Sequence, residues 1–149
     1  MKILFIEDDK YKRESVIVFI KSLHPNTEID TAASYESGVQ KGVDNQYDLI
    51  LLDMTIPNFD TSEGRTGGQS FKNGGEMIVR ELLDEDIDFR CAVLTQYETF
   101  NNETIDQISE RISMRCGDKY LGYIKYNKLD EEWKDNLKLL LQDVKSNNN

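Results

Sequence analysis

The feature that most constrains the fold of this chain is the aliphatic run Leu49–Leu52, which ends at Asp53. A short run that is apolar at every position is typical of a strand buried on both faces, in a parallel sheet covered by helices. Asp53 would then lie at the carboxyl end of the strand, the edge where open α/β sheets bind ligands. An aspartate that only begins a turn after a core strand is the simpler interpretation. The other polar groups at this edge decide between the two.

The size and composition of the chain predict one soluble domain over residues 1–149, with a frayed tail at 146–149. Hydrophobic residues make up 38% of the 149 positions and charged residues 31%, which is an ordinary globular balance. The formal net charge of −10 argues against direct binding of nucleic acid. No apolar run approaches the ~20 residues that cross a membrane, so we expect a cytoplasmic protein. Cys91 and Cys116 lack metal-binding spacing and are expected as reduced thiols.

Strand-like and helix-like segments alternate along the chain. The patterns predict five strands, at 2–6, 27–31, 49–52, 91–94 and 120–125, and five helices, at 10–23, 35–43, 76–83, 102–114 and 129–145. In the helix at 35–43, Val39 and Val43 are predicted to face the core. This alternation predicts an α/β fold, a parallel sheet with helices on both faces.

Residues 55–75 interrupt the alternation as a long Gly-rich loop insertion that holds five of the nine glycines. A loop of this length in a compact domain is usually functional or disordered. It leaves directly from Asp53 and can fold over that position. It lacks the Gly-Lys-Ser/Thr ending of a phosphate-cradling loop.

Polar side chains follow four of the predicted strands at one edge of the sheet: Glu7-Asp8-Asp9, Asp53, Thr95 and Lys125. Neighbouring carboxylates repel one another unless a cation lies among them. Oxygen ligands of this kind suit Mg²⁺. An aspartate can act as a nucleophile that forms an acyl phosphate. A lysine ammonium and a threonine hydroxyl suit phosphoryl oxygens, so the group has the components for phosphoryl transfer.

With these residues in this order, the sequence resembles the receiver domain of two-component response regulators. The resemblance is carried by Lys2–Asp9, Asp48–Pro57, Val93–Thr95 and Ile124-Lys125. It implies a flavodoxin-like doubly wound five-stranded parallel sheet of order 2-1-3-4-5, with helices on both faces.

The resemblance also assigns roles to single residues. Asp53 matches the phosphoacceptor, Thr95 the switch hydroxyl and Lys125 the lysine of the family. Mg²⁺ would be held by Glu7, Asp8, Asp53 and the backbone carbonyl of Thr55, with Asp8 the more direct ligand of the acidic pair and Asp9 ancillary.

Two positions depart from the family pattern. The family usually has a proline after its lysine, and here that residue is Tyr126. The switch aromatic usually lies three residues before the lysine, where this chain has Gly122, flanked by Tyr120 and Tyr123. The choice between the two tyrosines stays open, as does an ordinary structural role for both.

The expected function is that of a stand-alone phosphorelay receiver, not an enzyme beyond its own phosphorylation and dephosphorylation. A histidine kinase or histidine phosphotransfer protein would phosphorylate Asp53, and a downstream protein would bind the altered surface. Phosphorylation-linked dimerisation is left open. The alternative is a receiver-like adaptor that binds partners without cycling phosphate. A phosphatase of the haloacid dehalogenase type ranks low, because its second aspartate is replaced by Thr55.

Overall fold

A five-stranded parallel sheet forms the centre of the computed structural model, which describes residues 1–60 and 70–147. We label the strands of this sheet β1 to β5 in chain order: Lys2–Ile6, Glu28–Ala32, Leu49–Leu52, Cys91–Thr95 and Tyr120–Lys125. All neighbours are parallel, in the order β2-β1-β3-β4-β5. The predicted fold class and strand order are therefore confirmed.

Five helices cover the two faces of the sheet: α1 (Lys10–Leu23), α2 (Tyr35–Asp44), α3 (Gly74–Asp84), α4 (Ile105–Cys116) and α5 (Glu132–Ser146). The apolar side chains of α1 and α5 pack on one face, and those of α2, α3 and α4 pack on the other. No helix in the described part of the chain combines the length and hydrophobicity needed to cross a bilayer.

Helix α4 begins three residues later than predicted. The cause is a short antiparallel pair, Thr99–Phe100 with Glu103–Thr104, that precedes it. Thr104 then caps the helix by accepting a hydrogen bond from the Gln107 N–H, and the Gln107 side chain bonds back to the Thr104 N–H. This reciprocal capping favours a helix start at Ile105.

The prediction that Val43 of α2 faces the core is wrong, since its side chain is 39% exposed. Gly38 and Gly42 are buried in its place, and α2 approaches α3 closely along this glycine face. A Cβ atom at Gly42 would lie 2.9 Å from Leu82 Cδ2. The valines carry the hydrophobic pattern, but the glycines permit the close helix packing.

The predicted loop at 55–75 has ordered ends. Ile56–Pro57 pairs antiparallel with Ser70–Phe71, and α3 already begins at Gly74. Next to the first strand of the pair, the Glu36 N–H donates to the Asn58 carbonyl at 3.0 Å, which ties the segment to α2. The middle of the predicted loop, 61–69, lies outside the described residues.

Candidate functional site

Strands β1 and β3 bring the predicted carboxylates together. They are adjacent and parallel with Ile6 opposite Leu52, so the next residues, Glu7 and Asp53, leave the sheet side by side. One oxygen each from Glu7, Asp8 and Asp53 lies within 4.8 Å of the others. Three carboxylate oxygens at this spacing fit a small divalent cation such as Mg²⁺, which accepts carboxylates together with water.

Burial makes this cluster of carboxylates unfavourable without a counter-charge. Glu7 and Asp53 are 1% and 4% exposed, while Asp8 faces solvent. Desolvation raises the pKa of Glu7 to about 8, against the opposing effect of the Lys12 ammonium, and Asp53 raises it further. Desolvation also raises the pKa of Asp8. A cation held among the three would favour their ionised forms, so the chemistry of the site fits the metal that the resemblance implies.

The Asp53 carboxylate is held by one backbone and one side-chain group. Its Oδ1 accepts a hydrogen bond from the Met54 N–H at 2.7 Å, and its Oδ2 lies 3.4 Å from Lys12 Nζ. Behind it, Gly75 of α3 packs against the backbone of residues 53 and 54, with its N–H donating to the Met54 carbonyl at 2.9 Å. The position of the Asp53 carboxylate is thus set by β3 and by the start of α3.

Asp9, the third carboxylate after β1, has a structural role in helix α1. Its Oδ1 accepts hydrogen bonds from the N–H groups of Tyr11 and Lys12 at 3.0 and 3.3 Å, so it caps α1. Capping by aspartate stabilises the first turn of a helix.

Lys12 is a site residue that the sequence analysis missed. Its side chain is 1% exposed, and its ammonium lies 2.6 Å from Glu7 Oε1 and 2.7 Å from the Leu94 carbonyl that it donates to. A pattern in the sequence predicts its burial, because Lys12 shares a four-residue spacing with the buried Val16 and Ile20 of α1.

The other predicted site residues end at the same edge but make different contacts. Thr95 is fully buried, and its hydroxyl accepts a hydrogen bond from the Tyr97 N–H at 3.3 Å. Lys125 is 55% exposed and its ammonium pairs with Glu98. In the described part of the chain, the ammonium next to Asp53 is that of Lys12. The Thr55 hydroxyl donates to the Lys72 carbonyl, and a ligand role for the Thr55 carbonyl stays a prediction.

A bulge in β5 separates the two tyrosines that flank Gly122. Gly122 has φ of +97°, and the register against β4 shifts by one residue beside it. Tyr120 is buried with its hydroxyl 2.7 Å from that of Ser109, whereas Tyr123 is partly exposed and donates to Asp106 of α4. Tyr123 shares the exposed side of β5 with Lys125. The bulge therefore leaves Tyr120 in the core and Tyr123 at the surface beside Lys125.

Tyr126 occupies the place of the proline that is usual in the family. Its N–H donates to the Thr95 carbonyl at 2.8 Å, a bond that proline cannot make. Its buried ring lies 5.0 Å from that of Trp133, and Lys12 Nζ lies 5.5 Å from its centroid. Tyr126 therefore joins the end of β4, helix α5 and the buried lysine.

Comparison with known proteins identifies chains that are similar to this one in sequence and in structure. No model of a known protein family matches the chain. The sequence is 24% identical over 143 residues to the Detocs response regulatory protein DtcB of Enterobacter cloacae, covering 92% of this chain and 95% of that protein. The structure matches a response regulator receiver protein from Pseudoalteromonas atlantica with a TM-score of 0.70, over the full length of both chains at 13% identity. It also matches the response regulator TrrA of Thermotoga maritima, solved in complex with Mg²⁺-BeF, with a TM-score of 0.61 at 21% identity, over 96% of this chain and 97% of that one.

These likenesses extend over nearly the whole chain, and they agree with the five-stranded sheet and its order. The chain has the receiver fold of two-component response regulators, as the sequence resemblance predicted.

Proposed function

We propose that the chain is a phosphorelay receiver in which Asp53 accepts a phosphoryl group from a phosphohistidine in the presence of Mg²⁺. The observation that carries this proposal is the grouping of buried Asp53 with Glu7 and Asp8, whose ligand oxygens lie within 4.8 Å of one another. This arrangement combines a nucleophilic carboxylate with a cation site.

In the proposed step, a carboxylate oxygen of Asp53 attacks phosphorus, and an acyl phosphate forms as the phosphorus–nitrogen bond to the donor histidine breaks. The electron pair of that bond returns to the imidazole. Mg²⁺ held by Glu7, Asp8, Asp53 and the Thr55 carbonyl would neutralise charge on the transferred group. The ammonium of Lys12 is already in place beside the attacking carboxylate. Thr95 lies at the same edge and is the proposed donor to a phosphoryl oxygen after rotation of its hydroxyl.

The phosphoryl donor would be a histidine kinase or histidine phosphotransfer protein. The output would be a changed surface on α4, β5 and α5, bound by a downstream protein. With these partners, the protein would act in the cytoplasm. The free thiols of Cys91 and Cys116 agree with that reducing compartment.

One observation favours the alternative of an adaptor that does not cycle phosphate. Lys125, the lysine that the resemblance assigns to the phosphoryl group, pairs with Glu98 at the surface. An adaptor with this fold would bind the same partner whether or not Asp53 is phosphorylated.

Intact-mass measurement of the full chain after incubation with acetyl phosphate tests the proposal. We expect one base-labile phosphoryl group with Mg²⁺, none when the metal is chelated, and none in Asp53→Asn. Asp48→Asn is the matched control, because Asp48 flanks the opposite end of β3 and accepts a hydrogen bond from the Lys2 N–H at 2.7 Å. This variant should be phosphorylated like the wild type.

A phosphohistidine donor is then used in place of acetyl phosphate. No transfer from either donor to a folded wild-type chain would contradict the receiver proposal and favour the adaptor. Phosphorylation that persists in Asp53→Asn would contradict the assignment of the acceptor.

A further inference from the structure

The Lys12 ammonium is enclosed by acceptors at the floor of the carboxylate cluster. Three acceptors surround it: Glu7 Oε1 at 2.6 Å, the Leu94 carbonyl at 2.7 Å and Asp53 Oδ2 at 3.4 Å. The Leu94 carbonyl accepts a hydrogen bond from the ammonium, and the two carboxylate oxygens form ion pairs with it. The buried ring of Tyr126 lies 5.5 Å from Nζ and separates the ammonium from solvent on that side.

This enclosure makes Lys12 a fixed charge, unlike an exposed lysine that exchanges between water and a surface partner. The alkyl part of the side chain is buried with Val16 and Ile20 on the core face of α1. Moving the ammonium to solvent would break its contacts with Glu7 and Leu94 and leave buried polar groups unpaired, which is unfavourable.

The formal charge of the site depends on this residue. Glu7, Asp8 and Asp53 contribute three negative charges when ionised, and Lys12 contributes one positive charge, which leaves −2 instead of −3. A divalent cation neutralises −2 completely. Without Lys12, the site would still carry −1 after the cation binds, and a dianionic phosphoryl group would be repelled.

We propose that Lys12 is a built-in counter-cation of the acceptor site, which competes with Mg²⁺ for Glu7 and Asp53 and makes the metal-loaded site neutral. Lys12 is thus a positioning residue that sets the Mg²⁺ requirement of the site. The inference rests on the proposed function only in taking these carboxylates as the cation site. It gives Lys12 a charge role at the carboxylates, separate from the contact with a phosphoryl oxygen expected of Lys125.

Removing the charge of Lys12 should change the Mg²⁺ affinity and the rate of phosphoryl transfer in opposite directions. Mg²⁺ should bind more tightly, because its competitor for two of the carboxylates is gone and the site is more negative. Phosphoryl transfer at saturating Mg²⁺ should be slower, because the loaded site is no longer neutral. A residue that only supports the local fold would weaken both when it is replaced.

The test is calorimetric titration of Mg²⁺ alone into the full chain, for wild type, Lys12→Met and Lys12→Gln. We expect Mg²⁺ to bind both variants at least about tenfold more tightly, which is the least expected from losing one buried charge within a few ångströms of the metal. Lys12→Gln is included because its amide can still donate to the Leu94 carbonyl. Lys10→Met removes the same charge from an exposed position of α1 and should leave the affinity within about twofold of wild type.

Unchanged or weaker Mg²⁺ binding in folded Lys12 variants would overturn the inference, as would an equal gain in Lys10→Met. If both Lys12 variants unfold in metal-free buffer, circular dichroism across a Mg²⁺ series decides. Refolding with Mg²⁺ supports a shared charge role, and unfolding at every concentration overturns it. These results do not depend on phosphorylation, so a failure of the proposed function would be seen separately in the mass experiment.

Discussion

Replacing Gly75 by alanine tests how tightly α3 holds the backbone of Asp53. A Cβ atom at this position would lie 2.3 Å from the Asp53 carbonyl oxygen and 3.1 Å from Met54 Cα. Both are backbone atoms just after β3 and cannot move without shifting the Asp53 carboxylate. Gly42→Ala is the matched control, because its Cβ meets the terminal methyl Cδ2 of Leu82 at 2.9 Å, and a side-chain end yields at low cost.

The expected magnitudes follow from two opposing terms. Alanine in a helix gains up to about 1 kcal/mol over glycine, and overpacking costs about 1–3 kcal/mol. The clash of Gly75→Ala is with backbone atoms, so its overpacking cost lies at the upper end of that range. The variant should therefore lose about 2 kcal/mol of unfolding free energy, or roughly 4–8 °C in Tm for a chain of this size. For Gly42→Ala the two terms nearly cancel.

Urea unfolding followed by circular dichroism measures both variants, with Trp133 fluorescence as a second probe. If the proposed function holds, Gly75→Ala should also be phosphorylated more slowly than Gly42→Ala, since the clash would displace the Asp53 carboxylate. If Gly75→Ala is as stable as Gly42→Ala and is phosphorylated equally fast, the close approach of α3 does not position the Asp53 carboxylate.

Three further predictions concern the ion pair of Arg111 with Glu76, the carboxylates of Asp8 and Asp9, and the hydroxyl of Tyr120. Arg111→Met should lower the free energy of unfolding, measured in urea, by about 2 kcal/mol, because it leaves the buried Glu76 carboxylate unpaired. This loss is smaller than the ~3–5 kcal/mol of a fully buried pair, since the guanidinium of Arg111 is 39% exposed. A loss no larger than that of an exposed charge would show that Glu76 is solvated. Asp9→Ala should cost about 1 kcal/mol through the lost helix cap yet keep Mg²⁺ affinity in calorimetry, whereas Asp8→Ala should weaken Mg²⁺ binding; equal affinities would contradict the separation of their roles. Burial raises the pKa of Tyr120 to about 12, whereas the tyrosine of the unfolded chain ionises near pH 10. The free energy of unfolding should therefore fall as pH rises from about 10 to 12, and it should fall more steeply in wild type than in Tyr120→Phe.

The sheet and its ligand edge were predictable because strong local patterns specify them. Leu49–Leu52 is apolar at every position and forms β3 as predicted, with Asp53 at its end. Parallel pairing of β1 and β3 then requires Glu7 to lie beside Asp53, which the structure shows. In such cases the local pattern and the tertiary arrangement depend on the same residues.

The contacts within the site were less predictable, because they depend on packing between distant elements. The burial of Lys12 depends on β4 and Tyr126, which lie 82 and 114 positions further along the chain. The pairing of Lys125 with Glu98 depends on a loop after β4 whose path has no simple sequence pattern. The glycine face of α2 was missed because hydrophobic periodicity counts the valines and gives no weight to glycine.

The short antiparallel pair of Ile56–Pro57 with Ser70–Phe71 makes this chain suitable for engineering. Because the pair brings Pro57 and Ser70 together, a peptide inserted between them would be closed at both ends, and closing it costs loop-closure entropy. Doubling the length of a closed loop costs only about 0.6 kcal/mol. A reporter peptide or a partner-binding sequence inserted between Asp60 and Ser70 should therefore leave the sheet intact, while it is anchored a few residues from Asp53. Such a graft would place an inserted recognition sequence near Asp53, covalently joined to the chain at both of its ends.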